Sequence, residues 1–185
     1  MQFVVADLHL GHRRLVEEFG ERPFKTIEEH DETLIANHNS RVCNKDDVYI
    51  LGDIFLGARK NYIKTVRRLN GNLHLIRGNH CRGMNLEQKR MFAWVKDIYK
   101  LKVVDKIPYY IVLCHYPMRS WEDSHKGTWM LHGHDHGKLG EDPNLLSFCV
   151  SINTIGFYPM SFDQIKVKML WIKQERKLLW QRNIK

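Results

Sequence analysis

The feature that most constrains this chain is a local design that recurs along it: a short apolar run that ends in a residue able to hold a metal. Phe3-Val4-Val5-Ala6 runs into Asp7-Leu8-His9, and Val48-Tyr49-Ile50-Leu51 runs into Gly52-Asp53. Leu73-His74-Leu75-Ile76 leads to Gly78-Asn79-His80, and Tyr110-Ile111-Val112-Leu113-Cys114 leads to His115. Thr128-Trp129-Met130-Leu131 leads to Gly133-His134-Asp135-His136. Runs of this length rich in Val, Ile, Leu and Tyr read as buried strands. Strands ending in Asp, His or Asn set those side chains along one edge of a sheet, and the carboxyl edge of an open α/β sheet is where ligands bind.

Between the strands the sequence alternates towards helix. Thr26 is an N-cap with Glu29 at the capping-box offset, and Ile27 to Val42 reads as an amphipathic helix through Ile27, Leu34, Ile35 and His38. Leu10 to Phe19 is helix-compatible. A basic helix is expected over Arg59 to Leu69, and another over Leu86 to Val95. The rhythm then changes. Tyr99 to Lys106 and Tyr109 to Cys114, joined at Ile107-Pro108, suggest an antiparallel hairpin, and further strands are expected at Thr128 to Leu131 and Leu146 to Ser151. Ser161 with Gln164 suggests a helix from Phe162, although Ile165 to Ile172 reads equally well as a strand. Lys173 to Lys185 is expected to be an edge strand or a basic tail, with Leu178, Leu179 and Trp180 against the chain's own sheet. A strand-helix first half argues for a mostly parallel sheet, and a hairpin-like second half for a second, mixed one. The expected architecture is α/β: a four-layer αββα sandwich of two mixed β-sheets flanked by helices.

At 185 residues, without linker or repeat, a single domain over 1–185 is expected. No apolar run approaches the roughly 18 residues of a membrane span. Met1 leads almost directly into a strand, so no signal peptide is expected, and the four widely spaced cysteines read as reduced thiols in a cytoplasmic protein. The 29 Lys and Arg against 21 Asp and Glu give a net charge of +8, a balance that draws phosphate-bearing partners, nucleic acid included. Five of the eleven histidines (His9, His80, His115, His134, His136) fall just beyond strand ends.

Each motif alone is ordinary. Gly-Asp is a common turn, Asp-x-His occurs by chance, and the polar Tyr116 to Gly127 loop, expected to lie over the site, is unremarkable by composition. The order is specific: Asp-x-His, Gly-Asp, Gly-Asn-His, His, Gly-His-x-His. In that order the chain resembles the calcineurin-like metallophosphoesterases from Asp7 to His136. Asp7-Leu8-His9-Leu10-Gly11-His12, Arg22-Pro23-Phe24 and His115-Tyr116-Pro117 are similar to the small single-domain branch of bacteria and phages. The resemblance implies two divalent transition-metal ions (Mn, Fe, Zn, Co or Ni), with Asp7, His9, Asp53 and His136 on the first and Asp53, Asn79, His115 and His134 on the second. Two such cations against only two carboxylates leave an excess of positive charge that suits a hydroxide and an anionic phosphate, and they activate water while clamping phosphoryl oxygens. It also implies that His80 acts on the substrate as proton donor or transition-state stabiliser, with His12 and Arg119 as substrate contacts. One departure stands out. The residue after that His is commonly an acid, and here it is Cys81, which as a neutral thiol cannot orient an imidazole.

The implied activity is hydrolysis of phosphate esters. Without a cap domain the site is expected to be open, which together with the basic balance favours phosphodiesters of nucleotide or nucleic-acid type. The alternatives are a phosphomonoesterase acting on protein or small molecules, and a metal-bound binding scaffold without catalysis. A monomer and a homodimer are equally compatible with the sequence.

Overall fold

The computed structural model describes residues 1–105 and 108–182, apart from the side chains of residues 59, 179, 180 and 182. Strands β1 (Gln2–Val5), β2 (Asp47–Leu51), β3 (Asn72–Ile76) and β4 (Trp94–Lys96) run parallel in one sheet, which β9 (Met160–Ser161) closes antiparallel to β1, in the order β4-β3-β2-β1-β9. The second sheet has the order β5-β6-β7-β8. Strand β5 (Ile98–Val103) is antiparallel to β6 (Tyr109–Cys114), and β7 (Trp129–His132) and β8 (Ser147–Cys149) follow parallel. Four helices complete the described fold: α1 (Ile27–Arg41), α2 (Tyr62–Val66), α3 (Leu86–Lys89) and α4 (Phe162–Arg182). The protein is thus an α/β sandwich of two mixed sheets with helices, as the sequence leads one to expect.

Side-chain alternation explains why the first sheet sits between two apolar layers. Phe3, Val5, Val48, Ile50, Leu73 and Leu75 share one face and pack with Leu34 and Ile35 of α1 and Tyr62 and Val66 of α2. Val4, Ala6, Tyr49, Leu51 and Ile76 share the other and meet Leu101, Ile111, Leu113, Leu131 and Phe148 of the second sheet. The register pairs Phe3 with Val48 with Leu73, so the two faces never mix.

Helix α1 starts where its cap demands. The Thr26 hydroxyl accepts from the Glu29 N–H at 3.1 Å, while the Glu29 carboxylate reaches one residue further back, to the Lys25 N–H, rather than closing the box on Thr26. Thr26→Ala is therefore expected to cost about 1 kcal/mol, read as a lower urea midpoint at unchanged slope.

Several expectations need correction. The helix foreseen over Leu86 to Val95 is a single capped turn ending at Lys89, because residues 94–96 are taken into the sheet as β4. There the Trp94 ring lies 4.9 Å from its strand neighbour His74 and 4.8 Å from Tyr99 of the second sheet, packing that outweighs helix propensity. The basic helix over Arg59 to Leu69 shrinks to α2 behind a 3₁₀ turn, and Leu10 to Phe19 holds one π turn, Arg14–Glu18. At the other end α4 absorbs both the Ile165 to Ile172 segment and the residues expected as edge strand or tail, through Arg182. Ile165, Met169 and Ile172 recur at helical spacing and are all buried, so period 3.6 prevails over period 2. The Leu179 and Trp180 side chains and residues 183–185 lie outside the described residues, as do Lys106 and Ile107 in the hairpin connection. Among the described residues no helix is long and apolar enough to cross a membrane.

Candidate metal centre

The strands deliver the site, and the backbone just beyond them shapes it. Seven described non-glycine residues have positive φ, and five of them are candidate ligands: Asp7 (56°), His9 (50°), Asp53 (49°), His134 (74°) and His136 (53°). The left-handed region disfavours side chains by roughly 1–2 kcal/mol per residue. Such strain accumulates where the position of a side chain matters more than local comfort. Two glycines make the close approach physically allowed. A Cβ on Gly52 would sit 2.3 Å from His115 Nδ1, and one on Gly78 would sit 2.2 Å from Asp53 Oδ1.

All seven expected ligands converge. Asp7, His9 and His136 form one group with ligating atoms within 4.8 Å of one another, and Asp7, Asp53 and His115 form another. Asn79 Oδ1 lies 2.9 Å from His115 Nε2 and 3.0 Å from His134 Nδ1. Asp53 stands at the centre. Its Oδ1 accepts from the His80 N–H at 2.9 Å. Its Oδ2 faces His115 Nε2 at 3.4 Å, His9 Nε2 at 3.9 Å and His80 Nε2 at 4.0 Å. All three separations exceed hydrogen bonds, and that to His115 matches the spacing of donors that share a cation through bonds of about 2.0–2.3 Å.

The fit can be tested on His115. Its Nδ1 lies 2.8 Å from the Leu51 carbonyl, which can only accept, so Nδ1 carries the proton. Burial lowers the His115 pKa, so the ring is neutral and Nε2 presents a bare lone pair. That lone pair meets Asn79 Oδ1 and Asp53 Oδ2, two further acceptors. Three acceptors turned on one point are mutually repulsive unless a cation lies between them. Likewise His9 and His136 face each other Nε2 to Nε2 at 3.2 Å, with the Nδ1 of both rings buried and without a hydrogen bond, that of His136 standing 3.6 Å from Glu21. Burial, with the Asp53 charge adding to it, raises Asp7 to about 7, and burial lowers His9 and His136. Without cations the pocket holds neutral imidazoles and a carboxyl reluctant to ionise.

His80 sits at the rim, its side chain 37% exposed. The carboxylate that faces His80 Nε2, at 4.0 Å, is that of Asp53, while Cys81 is buried. His12 joins the rim, 5.4 Å from His9 and 6.3 Å from His80 between ring centroids, with a buried unpartnered Nδ1. Arg119 is exposed, and among the described residues it makes no hydrogen bond or ion pair to the cluster. The loop that carries it is tied to the second sheet instead, through Trp121 Nε1 to Thr128 O at 2.9 Å and Lys100 Nζ to Glu122 at 2.7 Å. Only Tyr116, at the start of that loop, reaches the site, 4.8 Å from the His134 ring. Beyond Tyr116, the hydrogen bonds described for this loop are with itself and with the second sheet.

Sequence reasoning missed Arg22. It is 3% exposed, and its guanidinium donates to the Asp7 and Leu8 carbonyls, fixing the strained turn between Asp7 and His9 from below. The only sequence signal was its place in Arg22-Pro23-Phe24.

No protein-family model matches the chain. Among curated proteins it is 34% identical over 177 residues to the uncharacterized protein MJ1445 of Methanocaldococcus jannaschii, covering 91% of this chain and 90% of that one. The chain belongs to the MJ1445 family. It is also 31% identical over 160 residues to the gene 66 protein of Mycobacterium phage L5, covering 72% of this chain and 76% of the phage protein. Among solved structures, the protein of unknown function AQ665 from Aquifex aeolicus superposes with a TM-score of 0.67 at 19% identity, over 90% of this chain and 97% of its own. The fold described for this MJ1445-family member is therefore shared with AQ665.

Proposed function

We propose that the chain is a binuclear metal-dependent phosphoesterase of the calcineurin-like kind, hydrolysing phosphodiesters of nucleotide or nucleic-acid type. The observation that carries this reading is the meeting of three acceptor atoms, His115 Nε2, Asn79 Oδ1 and Asp53 Oδ2, beside a second group of Asp7, His9 and His136. Imidazole, carboxylate and amide oxygen together suit Mn²⁺, Fe, Zn²⁺, Co²⁺ or Ni²⁺ better than Ca²⁺ or Mg²⁺. Asp7, His9 and His136 would hold one cation, and Asn79, His115 and His134 the other, with Asp53 shared. When bound, such a pair lowers the pKa of water towards neutrality and offsets phosphoryl charge.

The chain's own residues account for the rest. Leu51 O holds the His115 ring in the tautomer whose Nε2 is free to ligate. His80, exposed at the rim with Nε2 towards Asp53, is placed to protonate the leaving oxygen. His12 stands beside it to receive a non-bridging oxygen. His80 and Tyr116 leave the entrance open, Tyr116 being 41% exposed, which admits a substituent on each side of the phosphorus.

Cys81 in place of an acid favours one rival, a metal-bound scaffold without turnover. The Mn²⁺-loaded protein is expected to hydrolyse an aryl phosphodiester faster than an aryl phosphomonoester, to lose that activity to a chelator, and to lose about 10²-fold or more in kcat on His80→Ala. Preference for the monoester would make it a phosphomonoesterase. Metal-loaded protein inert towards both would leave the scaffold.

A further inference from the structure

Behind the candidate centre lies a second group of metal-ligating side chains that the proposed function does not use. His132 ends β7 and Cys149 ends β8, and the two are register partners on adjacent parallel strands, so their side chains leave the same face of the second sheet. Asp135 returns to them from the turn after β7. Its ligating oxygen, His132 nitrogen and Cys149 sulfur all lie within 4.8 Å of one another. His132 Nδ1 is 3.5 Å from Asp135 Oδ1. Two ligands of a tetrahedral cation with bonds of about 2.0–2.3 Å stand roughly 3.3–3.8 Å apart, so this pair already has the required separation; His132 Nδ1 also lies 3.2 Å from the Gly133 carbonyl, so in the metal-free chain it carries the proton.

A second observation points independently to a ligand. Asp135 Oδ2 accepts from the Leu139 N–H at 3.1 Å, which fixes the carboxylate, but Oδ1 is buried without a hydrogen bond and faces His132. The Asp135 side chain is 6% exposed. A carboxylate oxygen so placed costs free energy unless something positive faces it. The group lies just beneath the surface, with the His132 side chain 9% exposed and Cys149 6% exposed, which leaves a cation a short way in.

We propose that His132, Asp135 and Cys149 form a third cation site, distinct from the candidate centre, that takes a Zn²⁺-type divalent ion. One thiolate, one imidazole and one carboxylate are a borderline-soft set that suits Zn²⁺ and disfavours Mg²⁺ or Ca²⁺. Three protein donors leave the fourth corner to solvent. Binding converts the Cys149 thiol to a thiolate, whose proton passes to solvent, and moves the His132 proton from Nδ1 to Nε2 so that Nδ1 can ligate. The site is structural. Asp135 lies between His134 and His136, whose backbone is left-handed on either side of it. A cation that ties Asp135 to the ends of β7 and β8 braces the turn that presents both histidines to the centre.

The test is metal analysis of the full chain, stripped and reconstituted with Zn²⁺. The wild-type protein is expected to hold one equivalent more than Cys149→Ser, and one more than Asp135→Asn. With Co²⁺, a thiolate charge-transfer absorption in the near ultraviolet is expected in the wild type and not in Cys149→Ser, since no ligand proposed for the centre is a cysteine. Equal stoichiometry in wild type and Asp135→Asn, or an absorption that survives Cys149→Ser, overturns the site. If Cys149→Ser does not fold, the Asp135→Asn comparison alone decides. Should the centre itself bind no metal, the counts of wild type and variants fall together and the difference of one equivalent persists, so the two readings fail separately.

Discussion

Asp53→Asn is expected to lower kcat/KM on an aryl phosphodiester by about 10³-fold or more, the largest effect of any single substitution in this chain. The replacement keeps the shape of the side chain and an oxygen for the His80 N–H, now accepted by Asp53 Oδ1 at 2.9 Å. What it removes is the negative charge at the oxygen that faces His115, His9 and His80. A shared carboxylate does two things that a neutral amide cannot: it offsets the repulsion between two cations, and it bridges them. Loss of about 4 kcal/mol of transition-state stabilisation corresponds to the stated factor. Metal analysis of the variant separates causes. Fewer bound equivalents together with the rate loss is the expected pair of results. Full activity, or full loss with both cations retained, would deny Asp53 the bridging role.

Metal removal is expected to lower the melting temperature by roughly 5–10 °C for each cation held at about a hundredfold excess over its dissociation constant, and by more at pH 8 than at pH 5.5. Asp7 sets the sign. Its carboxyl is raised to about 7 in the folded chain from 3.8, first by burial and then by the Asp53 charge. The folded state therefore keeps a proton that the unfolded state loses as pH rises from about 4 to 7. The metal-free protein loses stability across that window and has lost all of the contribution above it. A cation takes the place of the proton, so the metal-loaded protein escapes the loss. The buried histidines act oppositely. His9, His115 and His136 are held neutral with lowered pKa values, so acid below about 6.5 favours the unfolded chain with or without metal present beforehand. Their effect cancels in the difference. Melting scans of stripped and Mn²⁺-loaded protein at the two pH values check this, and a gain that is larger at the acid value would contradict it.

Much of the site was legible because its signals are local. Asp7, His9, Asp53, Asn79, His80, His115, His134 and His136 each lie within a few residues of a strand's end, and a strand announces itself by composition and period over a handful of positions. Arg119 carries no such signal, because an arginine in a polar loop has no local mark of where the loop goes, and Lys100 on β5 holds that loop to the second sheet. Arg22 escaped because its two carbonyl partners are 14 and 15 residues away, and nothing near it is periodic. Trp94 and Val95 were taken for helix because the ring contacts that favour a strand there, with His74 on the neighbouring strand and Tyr99 on the second sheet, are tertiary.

By itself the sequence determined strands β1, β2 and β3 of the first sheet, the residues that follow them, and the order in which donors arrive along the chain. Those are consequences of short-range sterics and side-chain alternation. Only the tertiary structure decided that Asp7 is common to both donor groups, that Asp53 Oδ2 faces His115, His9 and His80 together, and that His132, Asp135 and Cys149 come together. Each depends on separations of a few ångströms between residues far apart in sequence, and those are set by strand order and register rather than by any local pattern.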